Sequence, residues 1–253
     1  MITPEQIRDD FPILAREVRN GKPLIYLDSA ATAQKPTAVI EAVDAFYRTT
    51  NGAVQRGAHL LAEESTAAFE DARATVARFV GAQSGEIVWT ENATYALNTV
   101  ATGIAHASAG IGGEAAARYR IGPGDEIVVT ATEHHANLVP WQQLAAITGA
   151  TLTWIPIDGE GRVDLDDLDT VITDRAKVVA FTHVSNVTGL VTPGEPSVAR
   201  AKHGGASTGL DAGQSVPPGP YDDHIVFLFW RRRPPGAFPS LMKPQGFTCN
   251  CKG

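Results

Sequence analysis

An α/β fold, with a mostly parallel sheet covered by helices on both faces, is what this sequence predicts. Three observations carry the expectation: strand-like runs alternate with helix-like runs, the strand-like runs are β-branched or aromatic without strict polar alternation, and turn-forming strings separate them. Composition agrees, since 43% hydrophobic and 19% charged residues describe a packed globular chain. At 253 residues it can bury a sizeable core, as one large domain or a domain with appendages. A formal net charge of −7 argues against a nucleic-acid partner, which needs a basic face. The first ten residues are polar, without the basic flank and apolar stretch of a signal peptide, and the longest apolar runs are strand-sized, so no membrane partner is expected. Both cysteines, Cys249 and Cys251, fall at the end, so a disulfide framework is not expected and a reducing, cytoplasmic setting is.

Taken in order, "LIYLD" (24–28) reads as the first strand. Residues 36–49 follow as a helix with Val39, Val43 and Phe46 on one face, and residues 63–80 as another with Phe69, Val76 and Phe79. "EIVWT" (86–90) is the second strand and residues 93–105 its helix. After the turn "GPGD" (122–125), "DEIVVTA" (125–131) is the third strand, with a helix over 138–148. "TLTWIPI" (151–157), the turn "DGEG" (158–161) and "KVVAFTHV" (177–184) complete the strong strands. "GGASTGLD" (204–211) is poorer in β-branched apolar residues than a core strand should be. Beyond it, "FLFWRRRPPGAFPS" (227–240) is too proline-rich to continue a buried strand, because proline cannot donate to the ladder.

Parallel sheets bind ligands at the carboxyl ends of their strands, so the residues just past each run hold the chemistry. "TENATYALN" (90–98) turns a strand into a helix at Ala93 and Thr94, where free N–H groups and a hydroxyl suit a phosphate. The same string also reads as Asn92 or Thr94 simply capping a helix. His134 and His135 in "TEHHANLVPW" are adjacent, point opposite ways in an extended segment and make a poor metal pair, so no metal is expected. "HVSNVTG" (183–189) and "DAGQSV" (211–216) close two further strands, and Asp211 alone would read as a cap. Four such loops on one sheet edge point to a site.

"YLDSAAT", "NGAVQRGAH", "ENATYALN", "TEHHANLVPWQ", "THVSNVTG" and "LDAGQSVP", in this order, resemble the cysteine desulfurase/selenocysteine lyase branch of the class-V aminotransferases over residues 1 to 218. The resemblance implies a three-layer, fold-type I large domain binding pyridoxal 5′-phosphate (PLP). It also implies a homodimer, a cysteine or selenocysteine substrate, alanine as product, and persulfide sulfur passed to an acceptor protein for iron–sulfur cluster assembly. By that resemblance Asp211 matches the partner of the pyridinium nitrogen, Gln214 the donor to the ring's phenolic oxygen, and His134 the stacked, proton-moving imidazole. Ala93 and Thr94 match the phosphate cup, Asn186 lies near ring oxygen and substrate carboxylate, and Ala30, Arg56 and Asn186 stand on the substrate side. Arg56 and His59 match a loop bordering the active site near the dimer interface; Gln55 replaces a histidine common there and receives no role.

The family follows the Asp/Gln loop with a strand and "SGHK", whose lysine carries the cofactor. Here "PPGA" (234–237) stands at that distance, Lys243 in "SLMKPQG" does not fit the motif, and Cys249 and Cys251 lack the context of the persulfide cysteine. The expected organisation is therefore an N-terminal segment (1–23), an incomplete PLP-binding large domain (24–223) without the C-terminal small domain, and an unrelated tail (224–253). A change of reading frame near His224 explains that tail better than an RNA- or lipid-binding patch or a short variant with a binding role. The expected function is a cysteine desulfurase inactive in this form. The alternatives are a non-catalytic PLP-binding or dimerisation module, or another class-V aminotransferase or lyase.

Overall fold

The computed structural model describes residues 3–29, 31–166, 168–213 and 228–230. They fall into two compact units, residues 3–89 and residues 90–213 with 228–230.

The first unit opens with α1 (Pro4–Asp9), where Thr3 and Gln6 form a capping box. A two-residue hairpin follows, β1 (Glu17–Val18) against β2 (Lys22–Pro23), turning through Asn20 at φ 65° and Gly21 at φ 67°. The Arg8 guanidinium ties this region together by donating to the carbonyls of Leu14 and Leu24 at 2.6 and 2.8 Å. Two longer helices, α2 (Thr37–Thr49) and α3 (Leu60–Phe79), make up the rest. The start of α3 is held by Ser65, whose hydroxyl donates to the Thr50 carbonyl at 2.5 Å and accepts from the Gly52 amide at 3.0 Å. Gly52 is required there, since a Cβ would come 2.7 Å from the Leu61 carbonyl oxygen. By contrast, α2 buries no residue, and Ile40, Val43 and Tyr47 are exposed.

Two expected strands do not form. Residues 24–28 and 87–90 carry no ladder among the described residues, and Leu27 is 91% and Val88 76% exposed. β-branched composition fits a pleated, half-buried surface but creates none; without a neighbouring strand such runs have nowhere to send their backbone hydrogen bonds.

The second unit supplies that neighbourhood. In chain order it holds α4 (Ala93–Ser108), α5 (Gly113–Ala116), β3 (Glu126–Thr130), α6 (Val139–Thr148), β4 (Thr151–Ile155), α7 (Leu168–Val171), β5 (Ala176–Thr182), α8 (Gly194–His203), β6 (Ser207–Asp211) and β7 (Leu228–Trp230). The sheet order is β4-β3-β5-β6-β7; the first four are parallel and β7 runs antiparallel. Ile127, Val129, Val178 and Ala180 face Leu97, Ala101 and Ile104 of α4 and Trp141 and Leu144 of α6, forming the main core. The alternate residues take the opposite face, where α8 packs on β5 and β6. There Gly194 lies so close that a Cβ would meet the Phe181 ring at 2.5 Å. At the amino ends of the strands, Glu126 accepts from Arg175 Nε at 2.9 Å and Thr173 Oγ1 at 2.6 Å.

One expectation is corrected. The weak-looking run before Asp211 is a buried strand, with Thr208, Gly209, Leu210 and Asp211 all inside. Pairing with β5 on one side and cover from α8 do what side-chain propensity does not. Past it, the backbone of Leu228–Trp230 pairs antiparallel with β6, with Gly209 opposite Phe229. That segment precedes the prolines at 234 and 235, which with the rest of the tail lie outside the described residues.

Candidate functional site

Strands β3, β5 and β6 are consecutive neighbours ending at Thr130, Thr182 and Asp211, so their outgoing loops share one edge of the second unit. Asp211 is buried there. Its Oδ1 accepts the Gly213 amide at 2.9 Å, and its main-chain carbonyl accepts from His183 N at 2.8 Å. Oδ2 has no hydrogen-bond partner among the described residues. A Cβ on Gly213 would lie 3.0 Å from Asp211 Oδ1 and 3.5 Å from Ala93 Cβ, so the absence of a side chain lets this turn sit against the start of α4. Burial raises the Asp211 pKa, while the Gly213 amide and the nearby His134 charge pull it back.

At the start of α4 the cap and the candidate anion seat are separate groups. Asn92 is the cap: its Oδ1 accepts Tyr95 N at 2.8 Å and its carbonyl accepts Ala96 N at 3.1 Å. The amides of Ala93 and Thr94 and the Thr94 hydroxyl therefore keep no partner among the described residues. A helix N-terminus with uncommitted donors favours an anion.

His134 is exposed, and its Nδ1 accepts the Ala136 amide at 3.0 Å. That bond assigns the neutral ring's proton to Nε2, the nitrogen left to meet a ligand. His135 opens a single 3₁₀ turn over His135–Asn137, so the pair is not in the extended segment the sequence suggested; the rings lie 6.2 Å apart and tilted. Asn186 stands exposed on the loop after β5. That loop is shaped by Ser185 Oγ, which accepts from Val187 N and Thr188 N at 3.2 and 3.3 Å. Beside it, burial lowers the pKa of half-buried His183 and favours its neutral form.

One residue with a central place carried no role in the sequence reading. Glu133 Oε1 accepts the Thr182 amide at 2.7 Å and the Thr130 hydroxyl, and Oε2 accepts Asn137 Nδ2 at 2.7 Å. Asn137 in turn accepts from Trp141 Nε1 at 2.9 Å. Burial of the carboxyl group pushes its pKa up to about 7 against the pull of those three donors, and the charge of Asp211 adds to the rise. Its signal in the sequence is the Glu133, Asn137, Trp141 spacing of four directly after a strand end, a pattern that also reads as ordinary helix amphipathicity.

The remaining candidates lie elsewhere. Arg56 is exposed in the first unit, and neighbouring Gln55, at φ 59°, donates to Glu70 Oε1 at 3.0 Å, a structural contact to α3. His59 caps α3 by accepting Ala62 N on Nδ1 at 3.3 Å. Ala30 and Gln214 lie outside the described residues.

A family model for class-V aminotransferases matches residues 25–224. The chain belongs to that family. Among class-V relatives, it is 51% identical over 219 residues to a probable cysteine desulfurase of Mycobacterium leprae, covering 86% of this chain and 50% of that protein. It is 46% identical to one of Streptomyces coelicolor, covering 88% of this chain and 51% of the other. Its fold is similar to the apo cysteine desulfurase of Thermococcus onnurineus, with TM-score 0.73, 38% identity, and coverage of 84% of this chain and 48% of that one. A cysteine desulfurase from Escherichia coli is similar at TM-score 0.68 and 38% identity, over 84% and 49% of the two chains. This chain thus spans about half the length of the class-V proteins it matches. Over that half its parallel sheet is the fold-type I arrangement of the cysteine desulfurases.

Proposed function

We propose that residues 24–223 are the cofactor-binding part of a cysteine desulfurase, built to take PLP at the strand ends of the second unit. The observation that carries this reading is Asp211: a buried carboxylate with one oxygen uncommitted among the described residues, its turn lying against Ala93 at the open start of α4. The residues present fit the group. Asp211 Oδ2 would accept the pyridinium N–H; the Ala93 and Thr94 amides and the Thr94 hydroxyl would hold the phosphate; His134 would lie against the ring, with Nε2 able to hold or give a proton. When bound, PLP supplies an electron sink for the bonds at the substrate's α-carbon. Asn186 and Gln214 would meet the ring oxygen, and Asn186 the substrate side as well.

In the whole enzyme the substrate would be cysteine or selenocysteine, the organic product alanine, and the sulfur a persulfide handed to an acceptor protein for iron–sulfur cluster assembly, within a cytoplasmic homodimer. Among the described residues no helix is long and apolar enough to cross a membrane. In this chain, position 237 is alanine where the resemblance puts the cofactor-bearing lysine, so PLP would be held without a covalent link and cysteine would not be turned over. That observation also favours a second reading, a non-catalytic PLP-binding module.

Titrating PLP into the purified chain and following its visible absorbance tests the site. Saturable binding is expected, and Asp211→Ala should weaken it by about 1–3 kcal/mol, the loss of one charge-assisted hydrogen bond. Equal curves for both proteins would overturn the pocket. Borohydride trapping with peptide mapping should give no specific pyridoxyl-lysine, and a sulfide assay with cysteine no turnover; the opposite pair of results would establish a working desulfurase.

A further inference from the structure

Glu133 is an unusual residue to find just past a strand end. Its carboxyl group is desolvated, it lies close enough to Asp211 to feel that charge, and the three donors around it only partly offset the cost of burial, since its pKa still stands at about 7. A carboxyl group that costs stability where it stands is a functional marker when it also has a specific geometry.

The geometry is specific. Asn137 and Trp141 are fully buried, and the indole donates to Asn137 Oδ1. That bond fixes which way the amide faces, so Nδ2 must point at Glu133 Oε2. On the other side, the backbone amide of Thr182 has only a hydrogen to offer Oε1. Both oxygens therefore meet donors that cannot reverse, which only an acceptor at each position can satisfy. The same Asn137 closes the turn through its own amide, which donates to the His134 carbonyl at 2.8 Å. Glu133 thus links the end of β3 at Thr130, the end of β5 at Thr182 and the turn carrying His134.

We propose that Glu133 is the positioning residue of this site: through both carboxylate oxygens it pins the His134 turn to the ends of β3 and β5 and so fixes the imidazole beside Asp211. Glu133 touches neither cofactor nor substrate; it acts through His134. The proposal rests on the PLP-pocket reading for its consequence, but the placement of the turn exists without any ligand.

The donor pattern dictates the test. Glu133→Gln must turn an N–H toward either Asn137 Nδ2 or the Thr182 amide, whereas adding Asn137→Asp restores an acceptor opposite the new donor while still accepting from Trp141. Two readouts are taken on the full chain well below its melting temperature: PLP affinity by absorbance, and the ¹⁵N shifts of the His134 ring, which need no ligand. In wild type Nδ1 should read as the unprotonated acceptor and Nε2 as the protonated nitrogen. E133Q is expected to weaken PLP binding at least fivefold and to erase that tautomer preference, with E133Q/N137D recovering both to within about twofold. A folded E133Q with wild-type affinity and wild-type ring shifts overturns the proposal. If E133Q does not fold, the double variant decides: recovery of fold and ring shifts supports the positioning role, and a folded double variant with disordered ring shifts overturns it. Should wild type bind no PLP at all, the pocket reading fails by itself, and the ring shifts still decide the role of Glu133.

Discussion

The two units of this chain bury their large apolar residues to different degrees. In residues 90–213 the sheet is lined on both sides, and Ile127, Val128, Trp141, Leu144 and Val179 are at most 1% exposed. In residues 3–89 two well-formed helices carry Ile40, Tyr47, Leu60 and Phe79 at 47%, 68%, 65% and 52% exposure. Helix signals are local and survive without partners: caps, spacing and side-chain pairs such as Arg48 with Asp44 need only the helix itself. Burial is not local. The comparison teaches that the proposed site stands on the unit with the larger core, while the other unit holds shape with less apolar burial of its own.

The largest expected effect would come from breaking the core of the second unit. Trp141→Ala removes a fully buried indole and orphans Asn137 Oδ1, and should cost about 3–5 kcal/mol in denaturant unfolding. Tyr47→Ala on the exposed face of α2 should stay within about 0.5 kcal/mol. Equal losses for the two would erase the distinction between the units.

A smaller effect follows from protons. The pKa of Glu133 is raised from 4.5 to about 7, so the folded chain holds this proton more tightly than the unfolded one. The contribution is fully present below 4.5 and is lost as pH rises through about 7. Asp211, also raised, acts in the same direction; His183, lowered by burial, acts oppositely, with an effect that fades as pH rises past its ordinary value of 6.5. Calorimetry of wild type beside Glu133→Gln between roughly pH 6.5 and 8 separates Glu133 from His183, which both proteins share. The melting temperature should fall across that window in wild type, and the slope should flatten in Glu133→Gln. A melting temperature that rises with pH there would contradict the assignment.

What could be read from the sequence follows the same division. β3, β4 and β5 were legible because "EIVVT", "TLTWI" and "AKVVAFT" are strong strand formers and also have neighbours to pair with. "LIYLD" and "EIVWT" look just as strong but lack a ladder among the described residues, so propensity misled where pairing was missing. β6 erred the other way: Ser207, Thr208 and Gly209 look weak until β5 and α8 enclose them. Among the proposed site residues, Asp211 and His134 could be picked out by their place after a strand, and Thr94 by its place at the start of α4. The part played by Glu133 could not, because it depends on the facing of one amide, fixed by an indole four residues further on.

The most direct test of the account is native-state hydrogen exchange with and without PLP. The proposed PLP seat lies on the second unit, so PLP should slow exchange at Ala93, Thr94, Gly213 and the loop after Thr182, and leave α2 and α3 unchanged. Protection by PLP centred on α2 and α3, or none anywhere at saturating PLP, would contradict it.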